Sequence, residues 1–174
     1  NHIFYHESKR YSSTSFGYIR QRNELLKHRA FGETWTRLPE PLFRLLSEAR
    51  SEKARQFACD ALKQDFAVLL RTVEPKWIIQ LAALPTASES ADSFVVWLLQ
   101  NATQLEQHQF RELGLHNTVI TLLDSLSGAA QQYAVNYIKA HARDLPLDTL
   151  LRQAFKTEKA ISTLVQQLLA ERDP

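Results

Sequence analysis

The feature that most constrains the fold is a pair of apolar helical patterns, a shorter one followed by a longer one, that recurs along the chain. The longer pattern has one anchor position that recurs at separations of 37, 39 and 28 residues (Phe57, Phe94, Tyr133 and Ile161). The shorter pattern has an anchor that recurs at 36, 41 and 28 residues (Leu46, Ala82, Leu123 and Leu151). A single helix pair cannot bury its apolar face alone, so this recurrence predicts pairs stacked around one continuous core.

The apolar spacing within each segment is that of amphipathic helices. Leu42, Leu45, Leu46 and Ala49 have the i, i+3, i+4, i+7 spacing of one helix face. A short helix that ends at Gly114 is predicted for residues 105–114. Buried apolar stripes are predicted for residues 115–126, including Leu126, and for Leu147, Leu150, Leu151 and Ala154 in a helix that Pro146 opens. No segment alternates with a period of two, and four Gly with six Pro are too few for the turns of an all-β protein.

These patterns predict an all-α chain folded as a right-handed stack of antiparallel helix pairs, an α-solenoid with little or no β-structure. Residues 39–174 are expected to form four pairs. Residues 1–38 are expected to form a basic, aromatic N-terminal segment whose one helix, from Phe16 to about Ala30, packs on the array.

One stretch resembles a known repeat family. The run from Ala49 to Leu62, ARSEKARQFACDAL, is similar to the polar turn and second helix of a HEAT repeat. This resemblance implies a HEAT-like or ARM-like solenoid that presents an extended binding surface. More weakly, residues 18–22 and 143–148 resemble the helical repeats of bacterial proteins that carry a WGR domain, although the Trp-Gly-Arg motif is absent.

Charge is unevenly distributed along the chain. Residues 1–37 hold seven Lys and Arg residues against three acids, a net charge of +4, whereas the remainder carries −2. The same segment is rich in aromatic residues, which can stack on bases while basic side chains contact phosphates. The alternative to a protein-binding function is therefore nucleic-acid binding through four basic residues (Arg20, Arg22, Lys27 and Arg29).

The residues that could support catalysis or metal binding form no convincing set. His108, Glu112 and His116 are spaced by four, but Gly114 interrupts the helix that would align them, and zinc needs three or four well-supported ligands. Cys59, the single cysteine, lies in an apolar stretch and is expected to pack as a small hydrophobe. We therefore expect no catalytic residue, no metal and no cofactor. A HEAT-like DNA glycosylase is the less favoured enzymatic alternative.

The expected binding surface is a concave groove lined by the second helix of each pair. Its candidate residues are polar or basic side chains (Arg55, Lys63, Gln132, Asn136, Lys139 and Arg143). Trp97, at the edge of an apolar stripe, is expected to pack in the core. The alternative is a partly exposed anchor for a partner, because tryptophan is enriched at the energetic centres of interfaces.

These features favour a non-catalytic scaffold module excised from a larger, bacterial, cytoplasmic protein. A chain with one cysteine needs no oxidising compartment, and no apolar run approaches the ~20 residues of a membrane span. The chain begins at Asn1 and lacks methionine, which favours a fragment. The expected partner is another protein or another domain of the parent chain, with nucleic acid as the alternative and no membrane.

Overall fold

Every regular element in the computed structural model is helical over the residues that it describes, which are 26, 29, 31–84, 87–156 and 158–172. The α-helices are α1 (Gly32–Arg37), α2 (Glu40–Glu48), α3 (Glu52–Asp65), α4 (Ala67–Leu70), α5 (Pro75–Ala82), α6 (Glu89–Asn101), α7 (Leu115–Thr121), α8 (Gly128–His141), α9 (Leu147–Ala154) and α10 (Lys159–Ala170). Two 3₁₀ turns span Gln107–Gln109 and Leu122–Asp124. The all-α prediction is confirmed for this part of the chain, and none of its helices is long and apolar enough to cross a membrane.

The chain divides into two compact units between Leu69 and Leu70. In the first unit, α2 packs on α3, and Leu42 and Leu46 of α2 and Phe57 and Leu62 of α3 are buried. Trp35 of α1 meets Phe57 of α3 edge-on, with ring centroids 5.6 Å apart. Most of the predicted helix from Phe16 to Ala30 lies outside the described residues.

A buried ion pair joins Arg29 to α3 within this unit. The Arg29 guanidinium donates to Asp65 Oδ2 over 2.6 Å, and both side chains are almost completely shielded from solvent. Two charges taken out of water each need the other, so the loss of one partner leaves an uncompensated buried charge.

The second unit is centred on α8, which contacts α6, α7 and α10. Within it, α5 packs on α6 and α9 packs on α10. Two serine caps fix where the long helices begin, because Ser88 Oγ accepts a hydrogen bond from the backbone N of Ala91 and Ser127 Oγ accepts one from Ala130. The Ser88 cap starts α6 at Glu89.

Residues 105–114 and Leu126 differ from the sequence prediction. Residues 105–114 form a 3₁₀ turn and further turns, because Phe110 O accepts from the backbone N of both Leu115 and His116 around left-handed Gly114. Leu126 is exposed, since the 3₁₀ turn at Leu122–Asp124 and extended Ser125 end the helical register before it.

Asp65→Ala is expected to lower the free energy of unfolding of the first unit by about 3 kcal/mol, because Arg29 then stays buried without its partner. The matched control is Glu48→Ala, which removes the acid of the exposed Arg44–Glu48 pair and is expected to cost under about 1 kcal/mol. Urea unfolding followed by circular dichroism measures both. Equal losses in the two variants would contradict the buried-pair account.

Candidate functional site

Four of the predicted binding residues lie on or just after α8 and are exposed. They form a polar face (Gln132, Asn136, Lys139 and Arg143). Gln132 Nε2 donates to Asn136 Oδ1 over 2.9 Å, and the Arg143 guanidinium pairs with Glu171 at the end of α10. This face is solvated and partly satisfied by its own side chains.

The other three candidates are placed differently. Arg55 is buried at 4% exposure, and its Nε donates to Ala49 O over 2.8 Å. The prediction that Arg55 lies on a binding surface is therefore wrong, and its guanidinium instead closes the turn between α2 and α3. Lys63 is half-buried on α3, in the first unit. Trp97 is half-buried and stacks on Phe94, with ring planes 6° apart. The stack supports core packing for much of the Trp97 ring.

The nucleic-acid alternative loses one of its four residues in the described part of the chain. Arg29 is buried against Asp65, so its guanidinium is not available to a phosphate. Arg20, Arg22 and Lys27 lie outside the described residues, and their role stays a prediction.

A polar cluster surrounds Tyr137 on α8. His116 Nδ1 and Tyr137 Oη are 3.0 Å apart, and the His141 ring lies 5.5 Å from the Tyr137 ring. Burial, assisted by the positive charge of Arg111, lowers the pKa of His116, while burial raises the pKa of Tyr137. A neutral imidazole therefore faces a protonated phenol, which is the arrangement of a structural hydrogen bond between His116 Nδ1 and Tyr137 Oη.

The chemically reactive candidates are either inert or already engaged. Burial raises the pKa of the Cys59 thiol to about 12, so the thiolate is not formed near neutral pH. His108 pairs with Glu106, and no group of three potential metal ligands occurs among the described residues.

A small, half-open pocket of about 140 Å³ lies in the second unit, beside the ends of α5 and α7 and the start of α6. Its two carboxylates already have partners. Asp92 Oδ2 accepts from Ser125 Oγ over 2.5 Å, and Asp124 Oδ1 accepts from Lys156 Nζ over 2.8 Å. Both carboxylates that line the pocket are therefore engaged by described residues.

Helix α9 exposes apolar side chains that the sequence pattern predicts to be buried. Leu147, Leu150, Leu151 and Ala154 were predicted to be buried together, but only Leu150 is, at 1% exposure. Leu147 is 54% and Leu151 49% exposed, and Phe155, which follows the helix, is 90% exposed. A polar residue takes the second buried position, since Gln153 is 3% exposed.

The burial of Gln153 has an electrostatic cause. Gln153 Nε2 donates to Asp124 Oδ1 over 3.2 Å, and Lys156 holds the same oxygen. Burial alone would raise the pKa of Asp124, but the hydrogen bonds from Lys156 and Gln153 outweigh it and lower the pKa below its ordinary value. Gln153 Oε1 has no hydrogen-bond partner among the residues that the structure describes, and a buried acceptor left unpaired costs about 1–3 kcal/mol.

The consequence is an exposed apolar surface that we name the α9 stripe, formed by Leu147, Leu151 and Phe155. At about 100° per residue, the arc from Leu150 through Leu151 to Phe155 covers roughly 140° of the helix. The second unit covers only the flank of this arc that carries Leu150. The apolar spacing predicts that the whole arc is buried, and this prediction is wrong for the α9 stripe. The width of the arc and the presence of Phe155 beyond it were the sequence signals of an exposed stripe.

Comparison with known proteins adds no assignment, since no protein-family model, curated protein or solved structure matches this chain.

The pH dependence of stability is expected to carry the signature of His116. Its folded pKa lies below the unfolded value of about 6.5, so the unfolded state binds more protons, and the stability present above pH 6.5 is lost as the pH falls from that value through the folded pKa. The midpoints of urea unfolding at pH 7.5 and pH 5.0 should therefore differ more in the unsubstituted chain than in the His116→Gln variant. An equal pH effect in both proteins would show that His116 is not the titrating group.

Proposed function

We propose that this chain is a non-catalytic protein-interaction module of the cytoplasm and that the α9 stripe is its contact surface. The proposed architecture is a right-handed stack of antiparallel helix pairs of HEAT-like type. The packing of α5 on α6 and of α9 on α10, a shorter helix on a longer one each time, supports it. The partner is another protein or another domain of the parent chain.

The observation that carries the proposal is the reversed burial on α9. Covering an exposed Leu or Phe side chain stabilises a complex by about 1.5–3 kcal/mol, and three such side chains lie in one row. Burial of Gln153 beside them also costs free energy, because its Oε1 has no hydrogen-bond partner among the described residues. An exposed row of large apolar residues, flanked by charged ones, is typical of a protein contact surface.

The partner is expected to be a helix or another convex apolar surface. The α9 stripe follows the i, i+4, i+8 ridge of a helix, which packs into the groove between the ridges of a second helix. Asp148 and Arg152 lie along one edge of the stripe and are exposed, so they supply a polar rim.

The test is site-specific photocrosslinking in cells that naturally make the chain. A photoreactive phenylalanine at Phe155 is expected to form protein adducts, because the ring lies in the contact. The matched control places the same group at Glu112, which is exposed and lies outside the stripe.

Adducts at 155 are expected to exceed those at 112 by at least about fivefold, and Leu151→Glu in the same chain is expected to remove the excess, because a charge then lies at the centre of the contact. Equal labelling at both positions, or labelling at 155 that is indifferent to Leu151→Glu, would reject the α9 stripe as a contact surface.

A further inference from the structure

We infer that the occupant of the α9 stripe is a second copy of this chain, bound through α9 in antiparallel orientation; this inference rests on the proposed function. The stripe has the internal symmetry that a two-fold contact needs. Leu147 and Phe155 each lie four residues from Leu151, which is about 6 Å along the helix on either side. A two-fold axis at Leu151 therefore sets Leu147 of one copy opposite Phe155 of the other.

The charges at the edge of the stripe are complementary to themselves in this orientation. Asp148 lies in the first turn of α9 and Arg152 in its last turn, on the same exposed edge. Antiparallel pairing brings Asp148 of one copy beside Arg152 of the other, twice, with an offset of about 3 Å along the axis. Parallel pairing about a two-fold axis would place the Asp148–Arg152 edges of the two copies on opposite sides of the contact, so only the antiparallel orientation brings these charges together.

Both charges are available for such a contact. Neither Asp148 nor Arg152 forms an ion pair with another described residue, although the two have the i, i+4 spacing that often pairs within a helix. Arg152 is close enough to lower the pKa of Asp124 through its charge, and it remains exposed. A two-fold contact therefore gives each of these groups an oppositely charged neighbour.

The contact is small, so the dimer is weak. Three apolar side chains and two charges per copy cover a few hundred Å², below the roughly 800 Å² per partner of a standard interface. We expect a reversible dimer that forms as the concentration of the chain rises through roughly 10–1000 µM.

Sedimentation equilibrium of the purified chain tests the inference. The unsubstituted chain is expected to dimerise with rising concentration. Leu151→Glu is expected to weaken the association at least about tenfold, because two carboxylates then meet at the axis. The matched control, Leu38→Glu, makes the same change at an exposed leucine of the first unit and should leave the association unchanged.

A charge exchange separates a second copy from any other partner. Asp148→Arg alone and Arg152→Asp alone are each expected to weaken the dimer about tenfold, because each sets like charges across the axis. The double variant, with both changes, should restore the parent association to within about twofold. Circular dichroism confirms that each variant is folded, and Glu112→Arg controls for the change in net charge.

A chain that stays monomeric at every loading would overturn the inference. So would a dimer that Leu151→Glu leaves intact, or single-charge losses that the double variant does not recover. A monomeric chain whose Phe155 position still crosslinks to other proteins in cells would leave the proposed function standing with a different occupant. A chain that neither dimerises nor crosslinks to other proteins through position 155 would reject both proposals.

Discussion

The hydrogen bond between Gln153 and Asp124 is the interaction on which the site depends. It joins α9 to the 3₁₀ turn at Leu122–Asp124, and Lys156 contacts the same Oδ1 oxygen of Asp124. The three groups fix the rotation of α9 about its own axis. Because the apolar arc of this helix is wider than the surface that covers it, fixing the rotation decides which apolar residues remain in water.

The second unit thus combines a packed interior with one exposed apolar face, the α9 stripe. Phe110, Tyr137 and Ile138 are buried, and the Ser127 cap and the His116–Tyr137 hydrogen bond engage polar groups beside them. Both carboxylates that line the pocket are bonded to described residues.

Most helices could be predicted from the sequence, because the apolar period of a helix depends only on residues that are close together in the chain. The four recurring anchors of the longer pattern are all buried, as their recurrence indicates (Phe57, Phe94, Tyr133 and Ile161). The rotation of α9 could not be predicted, because the bond that sets it joins residues 29 positions apart. Arg55 was misplaced for a related reason, since a charged residue was assumed to be exposed although the Ala49 carbonyl binds it within the fold.

Thiol reactivity at adjacent positions of α9 tests the central claim most directly. Cys59 gives little background, because it is buried and its pKa is about 12. The account predicts that a cysteine introduced as Leu151→Cys reacts rapidly with a thiol reagent in dilute native protein, whereas Leu150→Cys reacts only as fast as the unit opens. Equal rates, or faster reaction at position 150, would show that α9 is rotated otherwise and that the α9 stripe does not exist.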